Sequence, residues 1–231
     1  MHRLILAATT AAAALFASSA SAAVFISFDG TTSVYSQAGD GVFEFTAACG
    51  VAGAGCGGFE LVTVEGSAPL DLPGLLHSDN VSVNAPDSGT ASLTIWVTRT
   101  GLTSLGDSFF SSFTSNNQGG AIDVQLETLI SASNELFGGT SLASFSHNAV
   151  GSDSDNVNTA FATGAGTYSV TEKYTLTALS SGTERSASPT ITLATTAPIP
   201  EPATWALMIM GFGGAGAMLR RSKSALRSVR A

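Results

Sequence analysis

The chain has 231 residues, of which 44% are hydrophobic and only 11% are charged, and its formal charge is −8. This length suits one domain with a core large enough to fold unaided, between two short terminal segments. Residues 24–197 hold three basic and sixteen acidic side chains, a formal charge of −13. That balance argues against binding to nucleic acid or to an anionic membrane surface, since both interactions rely on Lys and Arg.

A secretory signal peptide is predicted over residues 1–22. Arg3 precedes an apolar run over residues 4–16, and small residues then lead to an Ala-Ser-Ala cleavage site that ends at Ala22. The apolar run is shorter than the roughly 20 residues that a spanning helix needs. We therefore expect export and cleavage rather than an N-terminal anchor.

Alternation of apolar and polar residues predicts an all-β body over residues 23–197. The clearest case is YSVTEKYTLTAL from Tyr168, and turn-forming Gly, Asn, Asp and Ser separate the predicted strands. Similar patterns begin at Val24, Gly41, Phe59, Val81, Ala91, Ala121 and Thr190. Because no strand-to-helix alternation repeats, we predict a single antiparallel β-sandwich of jelly-roll-like form.

Two segments have apolar residues at a spacing of three to four and are predicted as short helices or crossover loops. They are LTSLGDSFFSSF from Leu102 and LETLISASNELF from Leu126. From about Ser186 the composition shifts to Ser, Thr, Ala and Pro, which predicts a last strand followed by an extended linker.

The two cysteines, Cys49 and Cys56, flank a Gly-rich loop in a chain that is bound for an oxidising compartment. They are predicted to form a disulfide, which for so small a loop contributes about 2 kcal/mol. A metal site would need more ligands than two thiols, and no histidine is near them in the sequence.

Catalytic motifs are not found. His77 and His147 are the two candidate bases outside the signal peptide, yet neither lies in a known motif and no G-x-S-x-G elbow occurs. We interpret both as solvated loop residues, and we expect the protein not to be an enzyme. Trp96 is a candidate sugar-stacking platform, but its mid-strand position favours a buried or half-buried aromatic.

One polar segment, GSDSDNVN, is a weak calcium candidate because its side chains offer oxygen ligands. Those side chains belong to Asp153, Asp155, Asn156 and Asn158. The pattern of an EF-hand breaks at Val157, so an ordinary polar turn is favoured. No other cofactor is indicated.

The C-terminal tail, residues 198–231, contains an uncharged stretch over residues 203–219. As a helix it would reach about 25 Å, which is marginally short for a hydrocarbon layer of about 30 Å. The basic end, residues 220–231, begins with Arg220, Arg221 and Lys223. These charges predict a transmembrane-like helix with its basic end in the cytoplasm and the body outside.

The segment PEPATWA, residues 200–206, followed by this apolar stretch and basic end, resembles the PEPxxWA variant of the PEP-CTERM sorting signal. The residues that carry the resemblance are Pro200, Glu201, Pro202, Trp205 and Ala206. It implies processing by an exosortase, a membrane-embedded cysteine transpeptidase or protease of Gram-negative bacteria. Such an enzyme would cut near the motif and pass the body to the cell surface or the extracellular matrix. The alternative is a plain single-span anchor with a proline-rich stalk.

These observations favour a non-enzymatic, exported surface or matrix protein that inserts transiently into the inner membrane and associates with exopolysaccharide in a biofilm. Two alternatives stay open. A secreted polysaccharide-acting enzyme would need two carboxylates facing each other across a cleft at about 5 to 10 Å. A calcium-dependent adhesive module would need a cage of carboxylate oxygens around Asp153.

Overall fold

The computed structural model describes two compact units, residues 1–196 and residues 197–231. Within them the described residues are 22–49, 55–69, 74–85, 89–103, 106–120, 122–162, 166–178 and 185–196, together with Met210 and Phe212. The first unit contains every strand found among these residues, and all of their pairings are antiparallel.

Six of the strands within the described ranges form sheet 1. They are β1 (Ala23–Ser27), β2 (Ser33–Ala38), β6 (Ala91–Leu102), β8 (Asp123–Ser131), β9 (Thr140–His147) and β11 (Tyr168–Ala178). Their order across the sheet is β2-β1-β6-β11-β8-β9, so β2 and β9 are the edges.

Sheet 2 contains the other seven strands of the described part of the chain. They are β3 (Gly41–Ala48), β4 (Leu61–Ala68), β5 (Gly74–Ala85), β7 (Ser108–Gln118), β10 (Gly151–Ala160), β12 (Arg185–Ala187) and β13 (Thr190–Thr195). The order is β10-β7-β12-β5-β4-β3, and β13 also lies between β7 and β5. The predicted antiparallel β-sandwich is therefore confirmed.

The core lies between the two sheets because the strands alternate buried and partly exposed residues. In β4 and β13 this alternation is strict over the whole strand. The largest fully buried side chains include Tyr174, Phe43, Phe59, Phe109 and Phe113. Burying apolar surface at about 25 cal/mol per Å² makes this interior the main source of stability.

The segment from Leu102 is not a helix, because its later part forms β7. Phe109 and Phe113 both point into the core, and Ser111, which lies between them on the same face, is also fully buried. The Ser111 hydroxyl lies 2.8 Å from the Thr128 hydroxyl, so its burial is compensated. The polar Ser111 at a buried position interrupts the alternating pattern of the strand, so the remaining apolar residues show the spacing that is typical of a helix.

The segment from Leu126 shows the same effect from the other sheet. It continues β8 to Ser131 and then turns, and Thr128 lies buried between Leu126 and Ile130. The predicted last strand is present as β13, and β12 and β13 continue the sheet to Thr195, so the folded region extends beyond Ser186. The change in composition near Ser186 does not mark the end of the folded region.

Candidate functional site

The two histidines lie in strands of different sheets rather than in loops. In β5, the His77 Nδ1 atom lies 2.6 Å from Thr192 Oγ1. His147 ends β9 and is buried, with Nε2 3.2 Å from the Gly151 carbonyl oxygen and Nδ1 3.6 Å from an Asp153 carboxylate oxygen. The prediction that both are loop residues is therefore wrong. The prediction that His147 is solvated is also wrong, because its side chain is buried and contacts the Gly151 carbonyl across the β9–β10 turn.

The segment considered for calcium forms the edge strand β10, not a turn. Its pairing with β7 runs without a shift over residues 151–160, so successive side chains point to opposite faces. The candidate ligands therefore divide, with Asp153 and Asp155 on one face and Asn156 and Asn158 on the other. Among the described residues there is no group of three or more His, Cys, Asp or Glu that could hold a metal ion.

The predicted disulfide between Cys49 and Cys56 is confirmed, with the two Cα atoms 5.9 Å apart. Directly after it, the Gly57 carbonyl oxygen accepts a hydrogen bond of 2.7 Å from the backbone N–H of Ser92 in β6. Gly57 has a φ of +60°, and a Cβ there would lie 1.6 Å from the Ser92 carbonyl oxygen. Only glycine fits this contact, which ties the disulfide region of sheet 2 to sheet 1.

A buried carboxylate that the sequence reading missed lies between the sheets. Glu172 of β11 has no exposed surface, accepts a hydrogen bond from the Ser78 hydroxyl of β5, and lies 3.3 Å from the Tyr174 hydroxyl. Burial and the charge of Glu172 raise the pKa of Tyr174 well above its usual value. The alternation along β11 could have revealed this, because Glu172 lies on the same inward face of the strand as Tyr174 and Leu176. A group sealed in the core cannot meet a polymeric substrate, so we assign it a structural role.

The outer face of sheet 1 presents two rows of side chains that cross β6, β11, β8 and β9. The first row is Trp96, Lys173, Glu127 and Ser144, and the second is Thr94, Thr175, Gln125 and Ser146. We call these eight residues the polar face. Neighbouring strands lie about 4.8 Å apart, so each row spans about 14 Å. The part on β11, β8 and β9 lines a depression of about 450 Å³.

The charges on the polar face cancel. Lys173 Nζ lies 3.2 Å from Glu127 Oε2, and the two side chains are 32% and 28% exposed. Arg99 and Arg185, the other basic side chains of residues 24–197, are buried. Because the Lys173 ion pair is partly solvated, it contributes at most about 1 kcal/mol. The face therefore offers hydroxyl, amide and indole groups around one neutralised ion pair.

Two loops border the polar face. At one side the β1–β2 turn brings Gly30 over the indole of Trp96, where a Cβ would lie 3.0 Å from the ring. The predicted half-buried, mid-strand position of Trp96 is thus confirmed. At the other side the β8–β9 loop covers the sheet, and the backbone N–H of Phe137 donates to the Thr98 hydroxyl at 3.3 Å. The open part of the face is the depression on β11, β8 and β9.

The predictions for the two termini fall mostly outside the described residues. This applies to residues 1–21 of the signal peptide, to the sorting motif over residues 200–206 and to the basic cluster over residues 220–223. In the tail, Met210 and Phe212 have helical backbone and exposed side chains. A search of the described residues finds no helix that is both long and apolar enough to cross a membrane.

Comparison with known families identifies the tail. Residues 198–222 match the PEP-CTERM protein-sorting motif. The resemblance of the tail is confirmed, and the chain carries a signal that marks an exported protein sorted by an exosortase. The match ends in the tail and assigns no family to the body.

The body is similar to solved carbohydrate-binding modules. TmCBM61 in complex with β-1,4-galactotriose is 10% identical, covering 75% of this chain and 88% of the module, with a TM-score of 0.32. The family 16 carbohydrate-binding module-2 is 11% identical over 58% and 84%, with a TM-score of 0.27. The mannan-recognising TmCBM27 is 9% identical over 58% and 80%, with a TM-score of 0.31. No curated protein matches the chain. Similarities this weak carry no argument about what this body binds.

Proposed function

We propose that this chain is an exported, non-enzymatic protein of the cell surface or extracellular matrix, and that its polar face binds neutral exopolysaccharide. A signal peptide directs it across the inner membrane, the tail holds it there transiently, and an exosortase cuts near residues 200–206. The observation that carries the export step is the sorting motif over residues 198–222. The binding step is supported by the chemistry of the polar face.

Neutral sugars suit this face because its groups match theirs. Thr94, Thr175, Ser144 and Ser146 present hydroxyl groups, and Gln125 presents an amide, each of which can donate and accept hydrogen bonds. The rows are about 14 Å long, so they suit an extended polymer better than a compact ligand.

Anionic polymers suit the face poorly. Its one cation, Lys173, is neutralised by Glu127 at 3.2 Å, and residues 24–197 carry a formal charge of −13. Repulsion at long range would slow the approach of a polyanion and weaken its binding. We therefore place nucleic acids and carboxylated polysaccharides outside the set of partners.

Affinity electrophoresis of the purified protein tests the binding step. Migration should slow in gels that contain the producer's neutral exopolysaccharide and should not change in gels with a carboxylated polymer. The double variant Gln125→Ala and Thr175→Val should lose at least tenfold in affinity, while Thr63→Val, on the outer face of sheet 2, should not. A chelator should have no effect, because the candidate calcium ligands at Asp153 do not converge. If the polysaccharide slows the double variant as much as it slows the wild type, the proposal is contradicted.

The enzymatic alternative has one specific observation in its favour. Glu44 of β3 and Glu65 of β4 are directly opposite each other, and both side chains reach solvent. They lie on an open sheet surface near the edge of sheet 2, whereas glycoside hydrolysis needs two carboxylates on either side of the scissile bond. Release of new reducing ends from the same polysaccharide, abolished by Glu65→Gln, would establish the enzyme and overturn the non-enzymatic proposal.

A further inference from the structure

An apolar pocket lies at a part of the body that the polar face does not use. It has a volume of about 470 Å³ and is lined mainly by Phe28, Val34, Phe45 and Ala47, with Asp29 and Thr32 also in its wall. The β1–β2 turn supplies Phe28 and Asp29, and β3 supplies Phe45 and Ala47. The pocket therefore opens between the edge of sheet 1 and the edge of sheet 2.

Two aromatic rings, Phe28 and Phe45, line this pocket, and the ring of Tyr35 packs against Phe45. The ring centroids of Phe28 and Phe45 are 5.9 Å apart at 63°, and those of Tyr35 and Phe45 are 5.9 Å apart at 54°. All three rings are partly rather than fully buried. The negative faces of aromatic rings attract cations, and this attraction strengthens where water is partly excluded.

A fixed negative charge stands beside the rings. Asp29 Oδ1 accepts hydrogen bonds from the Ser27 hydroxyl at 2.9 Å and from the backbone N–H groups of Thr31 and Thr32 at 2.8 and 2.6 Å. These bonds, led by the one from Thr32, hold the pKa of Asp29 well below its usual value. Asp29 is exposed, so its anchored carboxylate is accessible to a ligand.

We propose that this pocket binds an organic ammonium group, with its methyl or methylene carbons against Phe28 and Phe45 and its positive charge beside the Asp29 carboxylate. The ligand class follows from the pairing of π faces with an ionised carboxylate, since a neutral apolar ligand would strip water from the carboxylate without compensation. A metal ion is a poor fit, because the walls supply carbon atoms where the ion needs several oxygen ligands. The pocket shares no residue with the polar face, although the β1–β2 turn borders both.

Titration calorimetry with choline chloride as the probe tests the site in the purified protein. Choline should bind, and dimethylbutanol, in which carbon replaces the charged nitrogen, should bind at least tenfold more weakly. Phe45→Leu keeps the wall apolar but removes the π face, and Asp29→Asn keeps an acceptor for the turn but removes the charge. Each variant should lose at least fivefold in choline affinity, whereas Val42→Ala, exposed and outside the pocket, should lose none.

Two further binding experiments distinguish the source of the ammonium group. Phosphatidylcholine vesicles present it as a lipid headgroup, and glucosamine presents it on a sugar. Capture by vesicles alone assigns the lipid surface, and binding of glucosamine alone assigns an amino sugar. Equal affinity for choline and dimethylbutanol, or unchanged choline binding in both Phe45→Leu and Asp29→Asn, would overturn the proposal. Loss of polysaccharide binding would not, because that concerns the polar face.

Discussion

Tyr174 shows how a single buried residue makes stability depend on alkaline pH. Its raised pKa, caused first by burial and then by Glu172, means that the folded protein holds the phenolic proton more tightly than the unfolded chain. The resulting stabilisation is complete below about pH 10, where the unfolded tyrosine titrates, and is lost as the pH rises through the folded pKa. We expect the free energy of unfolding to fall above about pH 10.

Urea denaturation at neutral and alkaline pH measures this dependence. In Tyr174→Phe the fall should be shallower, because that variant has no phenolic proton at this position. The variant should also be about 1 to 3 kcal/mol less stable at neutral pH, since the hydroxyl near Glu172 is removed. Tyr35→Phe, whose hydroxyl meets Gln37 in a partly exposed position, serves as the control. Identical pH dependence in Tyr174→Phe and wild type would contradict the interpretation.

The contact at Gly57 gives a second prediction for a single residue. Gly55 and Gly57 have similar positive φ values, +52° and +60°, but a Cβ on Gly55 would meet nothing within 4 Å. Gly55→Ala should therefore lower the free energy of unfolding by only about 1 to 2 kcal/mol, which is the cost of a left-handed backbone conformation for alanine. Gly57→Ala must in addition displace the Ser92 carbonyl and should lower the melting temperature considerably more. Equal melting temperatures for the two variants would show that the Ser92 contact does not matter.

Secondary-structure elements could be predicted where the pattern of burial matched the pattern of polarity. Strand β11 alternates in sequence apart from Glu172, and its burial alternates from Glu172 to the end of the strand at Ala178. Strand β7 was missed because a buried Ser111 interrupts its apolar face, and β10 was missed because it is an edge strand with polar residues on both faces. In each case the pairing partner supplies what the local sequence lacks: Thr128 from the other sheet, or the ladder with β7.

The edge strand β10 carries carboxylates that cap its own backbone. Asp153 Oδ1 accepts a hydrogen bond from the Ser154 N–H at 2.9 Å, and Asp155 Oδ1 accepts one from the Asn156 N–H at 2.7 Å. A bare edge offers such donors to the strand of another molecule, and charge on the edge discourages this pairing. The double variant Asp153→Ala and Asp155→Ala should therefore form dimers or larger species with rising concentration in sedimentation velocity.

Two matched variants separate the causes of this protection. Replacing both aspartates with asparagine keeps an acceptor but removes the charge, so a monomeric result would assign the protection to capping. Replacing Asn156 and Asn158 with alanine changes the opposite face of β10 and should leave the protein monomeric. If the aspartate-to-alanine variant also stays monomeric at every concentration, the edge does not depend on these carboxylates.

For the whole molecule, the sorting signal is local in sequence, whereas the two candidate binding surfaces are assembled from distant segments. The sorting motif occupies 25 consecutive positions, residues 198–222, and could be identified without a fold. The polar face joins Lys173 to Glu127, which is 46 residues away, through a strand register that no local pattern specifies. The pocket beside Asp29 likewise needs two strands from different sheets. The sequence was therefore sufficient to predict the sorting signal, whereas the structure was needed to identify the candidate sites.

The processing of the tail is the prediction on which this route depends. Replacing Glu201 with Gln, or Pro200 or Pro202 with Ala, should block recognition by the exosortase while the apolar stretch over residues 203–219 is unchanged. The two prolines favour an extended backbone before them and remove two donors, so the motif can be read as a preformed strand. The unprocessed variants should accumulate in the membrane fraction at higher apparent mass, as measured by immunoblotting after fractionation.

A second deletion separates sorting from simple anchoring. Removing Arg220, Arg221 and Lys223 should loosen membrane retention and orientation, because these charges hold the C-terminus in the cytoplasm. A plain anchor needs those charges but is indifferent to the Pro-Glu-Pro segment, whereas a sorting signal needs both. C-terminal mass spectrometry of the wild-type protein provides the direct measurement. Recovery of chains that still end beyond Arg227, from cells with an active exosortase, would show that the tail is a permanent anchor and that the body is not released from the membrane.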